Sequence, residues 1–175
     1  MTSDLRYPVG NFAAPAAFTP AFQAAALTTL TEAPSRFRLA VAGLSDAQLE
    51  APYRPGGWTS RQVVHHVVDS HLNAYLRTKF ALSEDNPTIK PYPESVWAEF
   101  VDAKTAPVAV SLDLLDALHV RWVMLLRSLS DGQWKRTLLH PERGPMTLHD
   151  VLALYEWHCR HHAAHITALR ARQGW

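Results

Sequence analysis

The sequence predicts an all-α protein that folds as a four-helix bundle with a long loop between helices two and three. Three observations support this fold: four segments repeat apolar residues at intervals of three and four, capping residues precede several of them, and no useful alternating strand pattern occurs. The chain has 175 residues, of which 47% are hydrophobic and 19% are charged. This length and composition suit one core, so we expect a single domain over residues 1–175.

The first half of the chain contains an arm and two predicted helices. Residues 1–18 are expected to form an extended arm because prolines interrupt them. A first helix is expected over residues 18–49, with Pro34 either kinking it or beginning a second piece. After the turn-rich stretch EAPYRPGGW, Thr59 and a glutamine three residues later have the spacing of a capping box. They predict a second helix that ends near Ser83.

The second half begins with the long loop and contains two more predicted helices. Residues 84–110 are rich in proline and predict that loop, with a short helix at ESVWAEFVD. Ser111 is expected to cap the third helix, which ends at the Asp-Gly pair of residues 131–132. The stretch LHPERGP is then a predicted turn. Thr147 opens the capping sequence TLHD of the last helix, which is expected to end near Arg172.

Charge, cysteine content and hydropathy exclude several classes of protein. The net charge is +1 and no basic cluster occurs, so a nucleic-acid partner is not expected. A single cysteine cannot form an internal disulfide. The amino terminus lacks the features of a signal peptide, and no apolar run approaches the roughly 18 residues of a membrane span. We therefore expect a cytoplasmic protein without a membrane partner.

The distribution of the ten histidines is the most informative feature of the sequence. In the last helix, residues separated alternately by three and four form a seam on the side that faces a bundle core. These residues are Leu148, Val151, Tyr155, His158, His162, His165 and Leu169. His158 and His162 lie one turn apart and can bind one ion together. His161 falls off the seam and is expected at its edge or in solvent.

The second helix brings another histidine close to its predicted core face. That face consists of Val63, Val67, Ser70, Ala74 and Ala81. At ~100° per residue, His66 lies about 60° from the centre of this face and can reach an adjacent helix. His65 points away and is expected outside the core, while His71 is a weaker alternative to His66.

Metal binding is the interpretation that best accounts for several imidazoles in one core. A single core histidine is more often hydrogen-bonded than bound to a metal. Three on one seam are harder to satisfy, because each neutral imidazole brings a donor and an acceptor, and an unpaired buried group costs ~1–3 kcal/mol. A divalent cation satisfies several acceptors at once, so we predict a metal site.

The run from His158 to His162 has the histidine spacing of the H-E-x-x-H zinc helix. Cys159 occupies the position where that motif has its general-base glutamate. The spacing of the ligands is therefore retained, but protease chemistry is not expected. Cys159 lies about 100° from the seam, which favours a packing role over that of a nucleophile.

Several stretches of the chain resemble the YfiT-type metal-dependent hydrolases of the DinB-like superfamily. They are RYPVGNF, YRPGGWTSRQVVHHVVDSHLNAYLRTKFALSEDNPTIKPY, LHVRWVMLLRSLS, HPERG and YEWHCRHHAAHITALRARQGW. The resemblance implies a four-helix bundle, a homodimer and one divalent metal ion, zinc most readily and nickel second. It places the three ligands on His66, His158 and His162. The family that the chain resembles also includes thiol-dependent S-transferases, which use bacillithiol or a similar small thiol.

Such a site supports two reactions. Three neutral ligands leave the ion with an open position, where bound water would have its pKa lowered toward ~7 and a bound thiol would lose its proton. We therefore expect a hydrolase of a small molecule, with a thiol S-transferase as the alternative. A non-catalytic metal sensor is a third possibility and would close the coordination sphere with a fourth protein ligand such as His165.

Further residues are expected to support this chemistry. His165 is assigned a proton-transfer role or a role in orienting the ligands, and Asp69, three residues from His66, is either an orienting carboxylate or a surface charge. Trp58 and Trp157 are expected to shape the pocket. Arg77 either binds an anionic substrate or is a solvated helix arginine.

Overall fold

The computed structural model describes residues 4–175 and has four long helices joined by shorter elements. In chain order the elements are α1 (Pro20–Val41), α2 (Asp46–Leu49), α3 (Ser60–Ser83), α4 (Glu94–Trp97), α5 (Val101–Thr105), α6 (Val108–Arg127), α7 (Asp131–Trp134), β1 (Thr137–His140), β2 (Gly144–Thr147) and α8 (Leu148–Gln173). The long helices α1, α3, α6 and α8 pack against one another as the predicted bundle. Within the described residues, no helix combines the length and the hydropathy that a membrane span requires.

The amino-terminal part of the bundle differs from the prediction in the extent of its first helix. α1 continues through Pro34 without a second piece, and it ends before Gly43, whose φ of +75° suits a residue that terminates a helix. Residues 46–49 form the separate helix α2. Residues 4–18 contain neither helix nor strand and lie along α8, where the Trp157 indole N–H donates to the Gly10 carbonyl. Residues 1–3 of the predicted arm lie outside the described residues.

Helix α3 has the predicted bounds and the predicted cap. The Thr59 hydroxyl accepts from the backbone N–H of Gln62, and the Gln62 side chain accepts from the backbone N–H of Thr59. The buried Arg61 guanidinium binds the carboxylates of Glu50 and Asp46, so it fixes α2 against the start of α3. The capping box at Thr147 and Asp150 is likewise present at the start of α8.

The bounds predicted for the third helix were wrong at both ends. α6 begins at Val108 after Pro107, so Ser111 lies inside its first turn and does not cap it. The helix ends at Arg127, and residues 131–132 belong to the next short helix, which Ser130 caps. Pro107 occupies the cap position of α6, and no described side chain forms a capping hydrogen bond at this end of the helix.

An antiparallel hairpin occupies the stretch that the sequence predicted as a turn. Thr137 pairs with Thr147 and His140 pairs with Gly144, whose φ is +78°. The long loop adds to this hairpin, because the Ile89 N–H donates to the Leu139 carbonyl over 3.0 Å. Strands of four residues are too short to show a period, so the expectation of no strands was wrong here.

The core of the bundle is divided by a layer of imidazoles. One apolar cluster includes Leu30, Trp122 and Leu152, and the other includes Phe37, Val67, Leu115 and Ile166. Buried histidines lie on α3, α6 and α8, among and between the residues of the two clusters. These histidines are His66, His71, His119, His158, His162 and His165. The apolar clusters therefore hold the helices in register around a polar middle layer.

Replacing Trp122 with alanine tests how much the larger cluster contributes to stability. Trp122 is fully buried and its indole N–H donates to the Thr78 hydroxyl, so Trp122→Ala leaves both a cavity and an unpaired group. We expect the free energy of unfolding in urea to fall by about 3–5 kcal/mol. Val120→Ala, at an exposed position of the same helix, should change it by less than about 0.5 kcal/mol. Equal effects of the two substitutions would contradict this packing.

Candidate metal centre

Three histidines from two helices converge at the middle of the bundle. His66 projects from α3, and His158 and His162 project from successive turns of α8. One ring nitrogen of each lies within 4.8 Å of the others, and the ring centroids of His158 and His162 are 4.3 Å apart. A zinc ion binds imidazole nitrogens at about 2.0–2.1 Å, so nitrogens this close can share one ion.

All three imidazoles are neutral at physiological pH. Burial, with a smaller contribution from neighbouring imidazoles, lowers the pKa of His66 to about 4. Burial likewise holds the pKa of His158 and of His162 well below its ordinary value, again with help from the adjacent rings. Each ring therefore keeps a lone pair that protons do not occupy, which is the state that a metal ligand requires.

The donor set fits a divalent cation. Nδ1 of His162 is buried and has no hydrogen-bond partner among residues 4–175. A buried nitrogen without a partner costs about 1–3 kcal/mol, and bonding to a cation would remove that cost. Imidazole nitrogen suits zinc, copper, iron and nickel better than the hard cations magnesium and calcium.

A cavity of about 290 Å³ opens directly over these histidines. Its floor consists of His66, Ser70, His158 and His162, and its apolar wall includes Trp58, Leu138, Met146, Val151, Leu154 and Trp157. Both tryptophans therefore lie where the sequence predicted, and the Trp58 ring centroid is 4.5 Å from that of His66. A small molecule in the cavity can reach all three imidazoles.

The hairpin and the long loop form the side of the cavity that the helices leave open. β1 and the turn after it contribute His140, Glu142 and Arg143, and the loop contributes Tyr92 and Glu94. The Arg77 guanidinium completes the lining, donating one Nη2 hydrogen bond to the Lys90 carbonyl over 3.3 Å. Its Nε is buried without a partner within residues 4–175, so Arg77 is not simply a solvated helix arginine.

The two residues assigned catalytic roles lie elsewhere. His165 packs against Tyr53 with a centroid separation of 4.0 Å, and its Nε2 donates to the Arg6 carbonyl. Asp69 is half-buried, and burial raises its pKa to about 6. Neither residue is among the described residues that line the cavity, and no carboxylate hydrogen bond joins Asp69 to a histidine within residues 4–175.

Two histidines are more buried than the sequence predicted. His161, expected at the edge or in solvent, is buried and stacks on Trp157 at 4.2 Å because the amino-terminal arm covers that side of α8. Its ring groups with those of His162 and His165, because one ring nitrogen of each lies within 4.8 Å of the others. His65, expected outside the core, is buried beneath the start of α6, where its Nδ1 lies 2.7 Å from the Ser111 hydroxyl.

His71 and His119 lie directly behind His158. His71 Nε2 is 3.1 Å from His158 Nδ1, and His71 Nδ1 is 2.7 Å from His119 Nε2. The sequence proposed His71 only as an alternative ligand and assigned no role to His119. The apolar stripe of α6 could have revealed His119, since it lies four residues after Leu115 and three before Trp122. Cys159 is buried in the larger apolar cluster, as predicted, and burial raises the pKa of its thiol.

Comparison with known proteins identifies relatives over most of the chain. The sequence profile of the DinB superfamily matches residues 29–166. Proteins named "putative metal-dependent hydrolase" from Bacillus mycoides and Bacillus cereus are each 51% identical to this chain, with 98% and 99% of this chain aligned and 99% of each relative.

Solved structures support the same relationship. YfiT from Bacillus subtilis, described as "a probable metal-dependent hydrolase with an unusual four-helix bundle topology", superposes with a TM-score of 0.95 at 46% identity over 98% of both chains. TT2238, a four-helix bundle protein, shares the fold with a TM-score of 0.55 at 22% identity over 85% of this chain and 98% of its own. The predicted fold class is therefore confirmed.

Acidification should destabilise the metal-free protein, because its buried imidazoles resist protonation. The pKa of His66 and of His119 is about 4 in the folded chain against 6.5 for an exposed histidine. Between these values the unfolded chain binds more protons, so each such histidine removes about 1.4 kcal/mol of stability per pH unit as the pH falls from 6.5. Asp69 has the opposite effect, because its raised pKa means that the folded chain binds this proton more readily than the unfolded chain does.

Urea unfolding in the presence of a chelator at pH 7, 6 and 5 measures this dependence. His71, His158 and His162 shift in the same direction as His66 and His119, so the histidines outweigh Asp69 and the free energy of unfolding should fall steadily. The variant His119→Gln, which cannot titrate in this range, should show a shallower slope. A stability that stays constant from pH 7 to pH 5 would contradict the neutral state of these imidazoles.

Proposed function

Because the chain belongs to the DinB superfamily, we propose that it is a metal-dependent hydrolase of a small molecule, with one divalent ion held by His66, His158 and His162. One observation carries the proposal: the three imidazoles are buried on the helix side yet form the floor of a cavity. A structural metal site is closed, whereas a catalytic site leaves a position for substrate. Zinc is the first candidate, and nickel, which also accepts imidazole ligands, is the second.

The protein side chains would hold the ion and shape its free side. His66, His158 and His162 would hold a divalent ion, which when bound would lower the pKa of a water molecule toward ~7 and so supply a nucleophile for hydrolysis. The Ser70 hydroxyl lies 3.4 Å from His158 Nε2 and 3.2 Å from the Tyr155 hydroxyl, on the cavity floor. Tyr155 donates its proton to the Ser70 carbonyl, so the Ser70 hydroxyl is the donor toward the Tyr155 oxygen or His158 Nε2, and its oxygen can accept a hydrogen bond from a substrate.

His165 is not one of the three histidines that group beneath the cavity. Its Nε2 is engaged by the Arg6 carbonyl, and it groups with His161 and His162 rather than with His66 and His158. A sensor that buries its ion fully would need such a ligand beside the cavity. The open cavity therefore supports an enzyme over a non-catalytic metal sensor.

The shape and charge of the cavity indicate the class of substrate. A volume of about 290 Å³ is at the small end of ligand pockets. Trp58, Leu138 and Trp157 offer apolar surface, while Arg77 presents a guanidinium whose Nε has no partner among the described residues. We infer a small, partly apolar substrate with a carboxylate or carbonyl group that Arg77 binds.

Removing the ligands one at a time tests the metal centre. His158→Leu and His162→Leu should each reduce the bound metal of the purified protein from about one ion per chain to nearly none, measured by mass spectrometry of the element. His149→Gln, on the same helix but outside the cavity lining, should retain it. Metal content that is unchanged in both leucine variants would overturn the proposed ligands.

Activity of the metal-loaded protein then distinguishes the reactions. Hydrolysis of a panel of chromogenic esters and amides should proceed without thiol and should be lost in the same leucine variants. Turnover that requires an added small thiol, with conjugation to an electrophile, would instead identify a thiol S-transferase. If the protein retains its ion but shows neither activity, the result would favour the sensor.

Substitution of Arg77 tests the substrate class. A charge-assisted hydrogen bond is worth about 1.5–3 kcal/mol, so Arg77→Gln should raise KM for carboxylate-bearing substrates by about tenfold or more. The kcat and the metal content should change little, because Arg77 is not one of the grouped histidines. Arg121→Gln, on the exposed surface of α6, serves as the control. Equal KM values for Arg77→Gln and the wild type would exclude this role.

A further inference from the structure

A chain of buried imidazoles connects the proposed metal centre to a backbone carbonyl on α1. His119 Nδ1 lies 2.6 Å from the Leu30 carbonyl oxygen, and His119 Nε2 lies 2.7 Å from His71 Nδ1. His71 Nε2 lies 3.1 Å from His158 Nδ1. The chain thus crosses the bundle from α1 through α6 and α3 to α8, and only its last member, His158, lines the cavity.

The carbonyl at the far end fixes the direction of every hydrogen bond in the chain. A carbonyl oxygen only accepts, so His119 must donate from Nδ1. A neutral imidazole carries one ring proton, so His119 Nε2 accepts and His71 Nδ1 donates to it. By the same reasoning His71 Nε2 accepts, and His158 Nδ1 carries the proton that binds it. The Nε2 atom of His158 is then left with a lone pair.

The two intermediate rings, His71 and His119, are neutral because of their surroundings. His71 is fully buried and His119 is 2% exposed. An unpaired charge at such a depth is strongly unfavourable. Each neutral ring has one donor nitrogen and one acceptor nitrogen, so all the hydrogen bonds of the chain run in the same direction.

The free nitrogen of His158 lies on the side of the cavity. Its Nε2 is 3.4 Å from the Ser70 hydroxyl, which is on the cavity floor, whereas its Nδ1 faces the interior at His71. The orientation of His71 is itself fixed by packing, since its ring contacts Tyr155 and Trp122 at centroid distances of 5.1 and 5.9 Å in edge-to-face geometry. His71 therefore holds the His158 ring with Nδ1 toward the interior and the Nε2 lone pair on the side of Ser70.

We propose that His71 and His119 are positioning residues that lock His158 in its Nδ1–H tautomer, with Nε2 as its metal-binding atom. The role in metal binding rests on the proposed function, but the tautomer is a property of the metal-free chain. Metal-bound histidines commonly donate their second N–H to a carboxylate or a carbonyl, which orients the ring and raises its basicity. Here two imidazoles carry that function to the Leu30 carbonyl.

Nuclear magnetic resonance of the metal-free protein reads the tautomer directly. Long-range nitrogen–proton correlation spectra, assigned with single histidine substitutions, should show protonated Nδ1 and unprotonated Nε2 for His71, His119 and His158 at pH 7. A protonated Nε2 on His158 would overturn the proposal whether or not the protein binds metal. Conversely, a wild-type protein with the expected tautomers but no affinity for Zn²⁺ would refute the proposed function and leave the tautomer lock standing.

Two substitutions of His119 separate a positioning role from a packing role. A primary amide has one donor and one acceptor side, so the amide of His119→Gln can donate to Leu30 and accept from His71. His119→Leu fills the space but breaks the chain. We expect His119→Leu to lose the single His158 tautomer and to weaken Zn²⁺ binding 10- to 100-fold in competition with a chromogenic chelator. His119→Gln should restore both.

Controls make each outcome decisive. His149→Leu, a histidine outside this chain of hydrogen bonds, should leave the His158 tautomer and the Zn²⁺ affinity unchanged. Equal loss of affinity in His119→Leu and His119→Gln, with the His158 tautomer intact in both, would show a packing role and overturn the proposal. If His119→Leu fails to fold, the wild-type tautomers and the His119→Gln variant still decide the question.

Discussion

The structure depends on placing a layer of imidazoles inside a bundle whose remaining interior is apolar. Each neutral ring brings a donor and an acceptor that water cannot satisfy there, and an unpaired group costs about 1–3 kcal/mol. The apolar clusters around Trp122 on one side and Phe37 on the other supply the burial that holds such a layer closed. The arrangement of the histidines is therefore set by which polar partners they can find.

The histidines solve this problem in two ways. Behind His158, His71 and His119 satisfy one another in a line that ends at the Leu30 carbonyl. In front of it, His66 and His162 line a cavity, and His162 Nδ1 has no partner within residues 4–175. The line of hydrogen bonds behind His158 satisfies its ring nitrogens within the protein alone, whereas the histidines that line the cavity would be satisfied by a cation. This asymmetry is the physical basis for the proposed metal centre.

The elements outside the bundle determine how the centre can be used. Two helices bring the ligands together, but the hairpin and the long loop form the rest of the cavity and place His140, Glu142 and Tyr92 on its rim. Arg136 joins these parts by donating to the carbonyls of Ala81 and Glu84 at the end of α3. The helices thus define the site, while irregular segments define its access and selectivity.

The sequence by itself determined the four long helices, two of their capping boxes and the core-facing sides on which His66, His158 and His162 lie. These features are local or periodic, so the spacing of residues in one helix records which side chains share a face. Only the tertiary structure decided the burial of His65 and His161, the pairing of the hairpin and the role of His119. Each depends on a partner distant in the chain, such as Ser111 for His65 or the arm for His161, and a periodic pattern carries no information about what packs against its outer side.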